Sequence, residues 1–295
     1  MASLKDIQRK IKSVKNTQKT TRAMKLVSSA KLKRTEELAK KSKVYAAKLT
    51  ELLNEIAQKM VGANVTGLDM PYFNEVSNPK IVDIVFITAD KGLCGGFNAQ
   101  TIKRVNKLIR EFKATDTTLR LRAIGRKGID YYKFNDVTLE SQVIGLSSAP
   151  DYEKSSALIS AIAQEYLERK TDKIIVVHNG YVNMITQEIK QDQLLPVDSS
   201  KLYLNVVSTS ELEIEPDDND RLLEELVKRY IEYSLYYALI DSLAAEHSAR
   251  MQAMDAATTN AKEMVNTLTV AYNKARQEAI TTELIEIISG MESMK

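Results

Sequence analysis

The placement of glycine and proline constrains this chain more than any other feature. Nine of the ten Gly and all five Pro fall between Gly62 and Pro216, with Gly290 the exception. Residues 1–61 and 217–289 therefore contain neither. In a helix interior Gly costs roughly 1 kcal/mol and Pro roughly 3 kcal/mol, so tracts this free of both are built to be helical. An average helix runs ~12 residues. At about 1.5 Å per residue these two tracts reach roughly 90 Å and 105 Å.

The C-terminal tract carries a heptad. One seam position reads Leu223, Tyr230, Tyr237, Ala244, Met251, Thr258, Val265, Tyr272, Ala279, and the other Leu226, Tyr233, Ile240, His247, Met254, Ala261, Leu268, Ala275, Thr282. A mostly apolar seam sustained over so many heptads predicts a coiled coil. The N-terminal tract offers Leu4, Ile7, Ile11 and Val14, then Leu32, then Leu49, Leu53, Ile56 and Met60. Between Lys15 and Arg22 it is almost wholly polar, and the heptad is expected to lapse there. That stretch then bears on something other than its sister helix.

The middle of the chain has a different grain. Ile81–Thr88 is a short, β-branched, nearly continuous apolar run, as is Ile174–Val177, with Leu119–Ile124 and Leu202–Val207 more mixed. Helical patterns at 98–113, 126–134 and 153–170 alternate with them. This spacing predicts a parallel or mixed sheet with helical cover. The expected fold class is therefore α/β: a long antiparallel coiled coil of N- and C-terminal helices (1–61 and 217–295) around a central Rossmann-like domain at 62–216. The ends of a compact domain lie near each other, which is why the two tracts are expected to run antiparallel. Pro216 and the carboxylates of Asp217–Asp220 mark the start of the second helix, where its dipole favours negative charge.

Net charge is only +3, but residues 1–48 hold fifteen Lys/Arg against three Asp/Glu, or +12, which leaves −9 for the rest. A basic arm on an acidic body points to an anionic partner. Aromatic interleaving suited to single-stranded nucleic acid is missing from the arm, where Tyr45 stands alone in the first 48 residues. An acidic protein surface fits better. One cysteine, Cys94, excludes an internal disulfide and fits a reducing compartment. No apolar run is long enough to span a membrane, and neither a signal peptide nor a transit peptide is expected.

Chemistry-bearing motifs are sparse. Asp90–Phe97 (DKGLCGGF) follows a strand and precedes a helix, the position of a phosphate-cradling loop. It lacks the G-x-G-x-x-G and P-loop spacings, so a structural turn or docking edge is the better reading. Gly125–Gly128 is weaker still. His178 and His247, the only histidines, sit on different elements, and one Cys beside them does not make a metal site; His247 falls on the seam, where a packed or partner-facing histidine is expected. Cys94 has no His nearby in sequence to activate it. No catalytic constellation emerges, and catalytic, cofactor and metal residues are expected to be none.

The tail is less bland. Arg276–Ile288 is helical in pattern and spreads Ile280, Leu284, Ile285, Ile287 and Ile288 over a broad surface. An apolar helix tip in water is a liability. It predicts a sleeve supplied by other chains.

Four motifs, an opening helix, a strand turn, a C-terminal helix and a terminal signature, resemble one family in order and on the predicted elements. Ile11–Met24, continuing to Val27 and Lys31, is similar to the opening helix of the gamma subunit of F-type ATP synthase. Asp90–Gly96 looks like that family's first-strand turn. Glu246–Thr258 and Tyr272–Gln277 look like its C-terminal helix, and Ile280–Glu283, Glu286 and Gly290 like its terminal signature. Met291 stands where that signature usually has Ala, and the redox insertion of the chloroplast form is missing.

The resemblance implies a central rotor stalk, coupling ion flow to ATP synthesis or hydrolysis without catalysing either. Its implied partners are the alpha, beta, epsilon and c-ring subunits, with one copy per complex, no nucleic acid, no cofactor and membrane contact only through the c-ring. The implied location is the cytoplasmic side of a bacterial cell membrane. By the same resemblance Met24, Lys25, Arg250, Arg276, Gln277 and Thr281 are expected to face an alpha/beta hexamer. Two rival readings remain. A nucleotide-binding α/β enzyme predicts nucleotide affinity in the isolated chain. A basic adaptor for nucleic acid predicts binding with a steep salt slope.

Overall fold

The computed structural model describes residues 3–62, 71–74, 76, 78–115, 117–197, 219–292 and 294. Helix α1 (Leu4–Gly62) is followed by a short 3₁₀ turn at Pro71–Phe73 and then by β1 (Ile81–Ile87), α2 (Phe97–Lys113), β2 (Thr118–Ile124) and α3 (Arg126–Phe134). There follow β3 (Ser141–Val143), α4 (Tyr152–Leu167), β4 (Lys173–Tyr181), β5 (Gln187–Leu195) and α5 (Asn219–Glu292). The expected strand at Leu202–Val207 and the Pro216 segment lie outside the described residues. The chain divides into two compact units: Ala30–Ala249, and Met1–Ser29 with Arg250–Lys295.

In the larger unit five strands form one sheet in the order β3-β2-β1-β4-β5. β1 pairs parallel with β2 and β4, β2 parallel with β3, and β4 antiparallel with β5. The near-continuous apolar run of β1 has its reason here: the strand is central and covered on both faces. On one face Val82, Ile84 and Phe86 pack with Val105 and Leu108 of α2 and Ile129 and Tyr132 of α3. On the other, Val85, Ile87, Ile174 and Val176 pack with Ile159 and Ile162 of α4 and with α5. Asp151 caps α4, its carboxylate accepting the Lys154 backbone N–H at 2.9 Å.

α5 has a second apolar face besides the heptad seam, the two meeting at Leu223. Leu223, Val227, Ile231, Leu235 and Leu239 repeat every four residues and are buried in the sheet core. They form an i, i+4 ridge of the kind that packs into grooves. Fully burying such a side chain stabilises by roughly 1.5–3 kcal/mol, so this half of α5 is a core helix. The lower part of the expected coiled coil is therefore built into the α/β unit. β3 and β5 were not foreseen. β5 (QEIKQDQLL) is a polar edge strand, and charged edges protect a sheet from further pairing.

In the smaller unit α1 and α5 pair antiparallel. The Thr21 and Thr258 hydroxyls lie 2.7 Å apart, and Lys25 Nζ lies 2.6 Å from Asp255 Oδ1, so partners descend α5 as they ascend α1. The expected lapse of the heptad at Lys15–Arg22 is not a break. Leu4, Ile7, Ile11, Val14, Gln18, Thr21, Lys25 and Ser28 step by alternating threes and fours, and all are buried or half-buried. The seam turns polar there rather than leaving the helix pair. On α5 the seam runs as expected from Met251 to Ala279, while Thr282, expected on it, is exposed like every described side chain beyond Ala279.

Candidate subunit interface and transmission site

The six residues expected to face other subunits do not make one patch. Met24 and Lys25 are half-buried, and the Lys25 ammonium is already paired with Asp255. Arg250 is buried, at 9% exposure. Arg276, Gln277 and Thr281 are exposed, and the Thr281 hydroxyl donates to the Gln277 carbonyl one turn back, at 2.9 Å. Arg250 and Arg276 are roughly 39 Å apart along the helix, at 1.5 Å per residue. What the exposed group does share is a neighbourhood. It adjoins Ile280, Leu284, Ile285, Ile287 and Ile288, which are 49–60% exposed. Large apolar side chains exposed together in this way are a surface of the kind that partners cover. On α1, Lys5, Arg9, Lys10, Lys12, Lys15, Lys19 and Arg22 are all exposed, a basic surface spread around the helix outside the seam.

The larger unit holds α5 through polar contacts that lie beyond sequence reasoning. Asp241, 2% exposed, accepts the Tyr181 backbone N–H at 3.1 Å and the Lys190 ammonium at 2.6 Å, and its carboxylate lies 3.2 Å from His178 Nε2. Burial would raise the Asp241 pKa, but hydrogen bonds from His178 and Lys190 hold it below the usual carboxylate value. Burial would likewise lower Lys190, and the carboxylate instead holds it raised. Gly180 permits the approach: a Cβ there would sit 2.7 Å from Asp241 Oδ2 and 2.5 Å from Lys190 Cε. Earlier on α5, Glu232 accepts the Tyr152 hydroxyl at 2.9 Å and the Ser160 hydroxyl at 3.1 Å, both from α4. Later, Ser248 accepts from Gln187 Nε2 and donates to the Met184 carbonyl, both at 2.9 Å. The only sequence hint was an Asp interrupting the apolar run Ala238–Ala245.

The loop Asp90–Phe97 is a structural turn. Ligands of open α/β sheets bind beyond the strand C-termini, where the strand order switches, here between β1 and β4. That crevice is filled: Ala89, Cys94 and Phe97 pack against Ala245 and Ala249 of α5. The Asp90 carboxylate accepts the backbone N–H groups of Arg126 at 3.0 Å and Gly145 at 3.1 Å, clamping the loops after β2 and β3. Burial would raise its pKa, but these bonds hold it lowered. At Gly125, φ is 101° and a Cβ would lie 1.9 Å from the Thr88 carbonyl oxygen, so this glycine serves the turn. Cys94 is buried, its sulfur 3.2 Å from Asn98 Nδ2. His178 and His247 are both buried, on β4 and α5. Among the described residues no three His, Cys, Asp or Glu gather to hold a metal, and no helix is long and apolar enough to cross a membrane.

A buried ionic network joins β1, β2 and α4. Asp83, fully buried, accepts from Arg120 Nε at 2.6 Å and Arg122 Nε at 2.9 Å, and both guanidinium groups reach Glu165 Oε2 at 2.7 Å. Burial raises Glu165, but the two guanidinium groups outweigh it and leave its pKa lowered. Glu140 adds a third, more exposed carboxylate 3.9 Å from Arg120, so each charge of the network faces a partner within the protein.

Comparison with known proteins agrees with this geometry. Residues 3–294 match the ATP synthase family. The ATP synthase gamma chain of a Sulfurovum species is 72% identical over 295 residues, covering all of both chains, and that of a Nitratiruptor species is 60% identical over the same span. Among solved structures, a chain of the Euglena gracilis mitochondrial ATP synthase assembly of OSCP, F1 and c-ring is similar with a TM-score of 0.66, at 17% identity over 99% of this chain and 94% of that one. A chain of the Tetrahymena thermophila mitochondrial ATP synthase central stalk and c-ring gives 0.60, at 22% identity over 81% of this chain and 99% of that one. At such identities the structures speak for the fold, and the full-length sequence relatives speak for the family. The chain belongs to the family of ATP synthase gamma chains, the central-stalk subunits of F-type ATP synthase.

Proposed function

We propose that this chain is the non-catalytic rotor of its complex, turning within an alpha/beta hexamer whose beta subunits hold the catalytic sites. The observation that carries the reading is α5 itself. From Leu223 to Leu239 it is a core helix of the α/β unit, and from Met251 to Ala279 it is half of the antiparallel pair. In this reading α5, which contributes to both units, is the element that carries torque from the sheet domain to the pair.

In this reading residues 62–216, with an epsilon subunit, rest on a c-ring turned by ion flow. Residues 1–61 and 217–295 form the shaft, one copy per complex. The assembly is peripheral to the cytoplasmic side of the cell membrane. A partner shifts a conformational equilibrium only through its differential affinity for the states. The pair meets that requirement because its sides differ: a basic α1 face, the mixed α5 face and a bare apolar tip. Each beta subunit meets a different side at each angle. Met24, Lys25, Arg250, Arg276, Gln277 and Thr281 are the positions proposed to touch the hexamer, with the tip turning in an apolar collar. Exposed charge pairs there weaken with salt.

Co-purification tests the assembly: the chain should come down with alpha, beta, epsilon and c subunits. Charge reversal at exposed Arg276 tests the site, because it should lower coupled synthesis while the isolated chain keeps its fold. Full synthesis in the assembled Arg276→Glu complex would sink that assignment. Arg250→Glu is a poorer probe, since a buried guanidinium also supports folding.

A further inference from the structure

We propose that Asp241 is the positioning residue that locks α5 against rotation within the α/β unit, so that torque reaches the shaft without slip. The inference rests on the rotor reading above. Apolar packing is non-directional and resists turning of a helix only through interlocking side chains. Charge-assisted hydrogen bonds are short and directional. Asp241 makes such bonds to both strands of the β4–β5 hairpin, through His178, Tyr181 and Lys190. Glu232 on one side binds α4, and Ser248 on the other binds the hairpin. These three side chains span 16 residues, roughly 24 Å of helix. A twist of α5 about its axis must break bonds to two elements together.

Three features make Asp241 the centre of this lock. It is 2% exposed, so water cannot replace a broken bond cheaply. Lys190 is half-buried beside it, and the carboxylate holds its pKa above the ordinary lysine value against the effect of burial. Gly180 leaves the gap into which carboxylate and ammonium fit, and a side chain there would close it. The groups facing Asp241 are His178 and Lys190, with the Tyr237 ring 5.9 Å from the Lys190 ammonium.

The test uses the assembled complex. The shaft is crosslinked within the hexamer, a bead is attached to the c-ring, and the variance of its thermal angular motion gives torsional stiffness. Asp241→Asn and Lys190→Met should both widen the fluctuation. Counting the seven hydrogen bonds named here alike, Asp241→Asn keeps the Tyr181 bond on Oδ1 and loses the two on Oδ2, lowering stiffness by roughly 30%, while Lys190→Met loses one bond and lowers it by roughly 15%. ATP hydrolysis by the hexamer should stay near wild type, and Lys190→Arg should restore the stiffness. Unchanged fluctuation in both variants overturns the lock while leaving the rotor intact. A parallel fall of assembly yield and hydrolysis, with no separate loss of stiffness, overturns it too, since that is what general destabilisation does. Absence of ATP-driven rotation in the wild-type complex would overturn the rotor reading itself.

Discussion

Truncating leucines along α5 separates the parts of the chain that hold it together from the part that is offered to others. Leu235 is fully buried in the sheet core and Leu284 is 54% exposed at the tip. Leu and Ala differ little in helix propensity, so burial decides the outcome. Leu235→Ala removes the transfer energy of the side chain and leaves a cavity, at a cost of roughly 3–5 kcal/mol. Leu284→Ala leaves the stability of the chain within about 0.5 kcal/mol of wild type. Urea unfolding of the full-length chain reports both, followed through the near-UV signal of its thirteen Tyr, there being no Trp. In the assembled complex the order reverses for Leu284. Its contact with the proposed collar is worth about 2 kcal/mol, and coupled synthesis falls while the chain stays folded. A Leu284→Ala chain as destabilised as Leu235→Ala would mean the tip packs within its own chain. Normal stability with normal synthesis would remove the tip from the contact surface.

Other outcomes follow from the geometry. Ala245 fills the switch-point crevice with no exposed surface, so Ala245→Leu overpacks it and destabilises by about 1–3 kcal/mol, read from the urea midpoint. The Thr21 and Thr258 hydroxyls also have the Gln18 and Met254 carbonyls as acceptors, so single Thr21→Val or Thr258→Val variants each cost at most about 1 kcal/mol; a double-mutant cycle in thermal melts measures the coupling across the pair, and strict additivity would refute it. Asp241 and Glu165 have lowered folded pKa values. Each therefore contributes stability above the ordinary carboxylate pKa of about 4 and loses it as pH falls through the folded value. Urea midpoints should drop on acidification below about pH 4, with a shallower drop in Glu165→Gln. The Lys25–Asp255 pair, with 38% and 56% of its side chains exposed, contributes at most about 1 kcal/mol, so raising salt should barely move the thermal midpoint.

Much of this fold is local enough to be legible along the chain. The Gly- and Pro-free tracts do become α1 and α5, since helix breakers act through each residue's own backbone. β1, β2 and β4 lie where the β-branched runs predict them, and α2, α3 and α4 match their patterns within three residues at either end. The seam from Met251 to Ala279 follows the heptad because a period in sequence is a direction in a helix. Other features depend on partners distant in sequence. Between Leu223 and Ala249 α5 carries two periods at once, one toward α1 and one toward the sheet, and only packing reveals the second face. The polar seam of Gln18, Thr21 and Ser28 shows as a lapse in hydrophobicity, yet small and polar side chains fill it. β5 has too few apolar residues to announce itself and exists as the partner of β4. Asp241 meets residues 51 and 63 positions away. Sequence by itself determined two long helices around an α/β domain; tertiary structure decided that one of them is also the domain's core, because a helix has several faces and only the fold assigns each a neighbour.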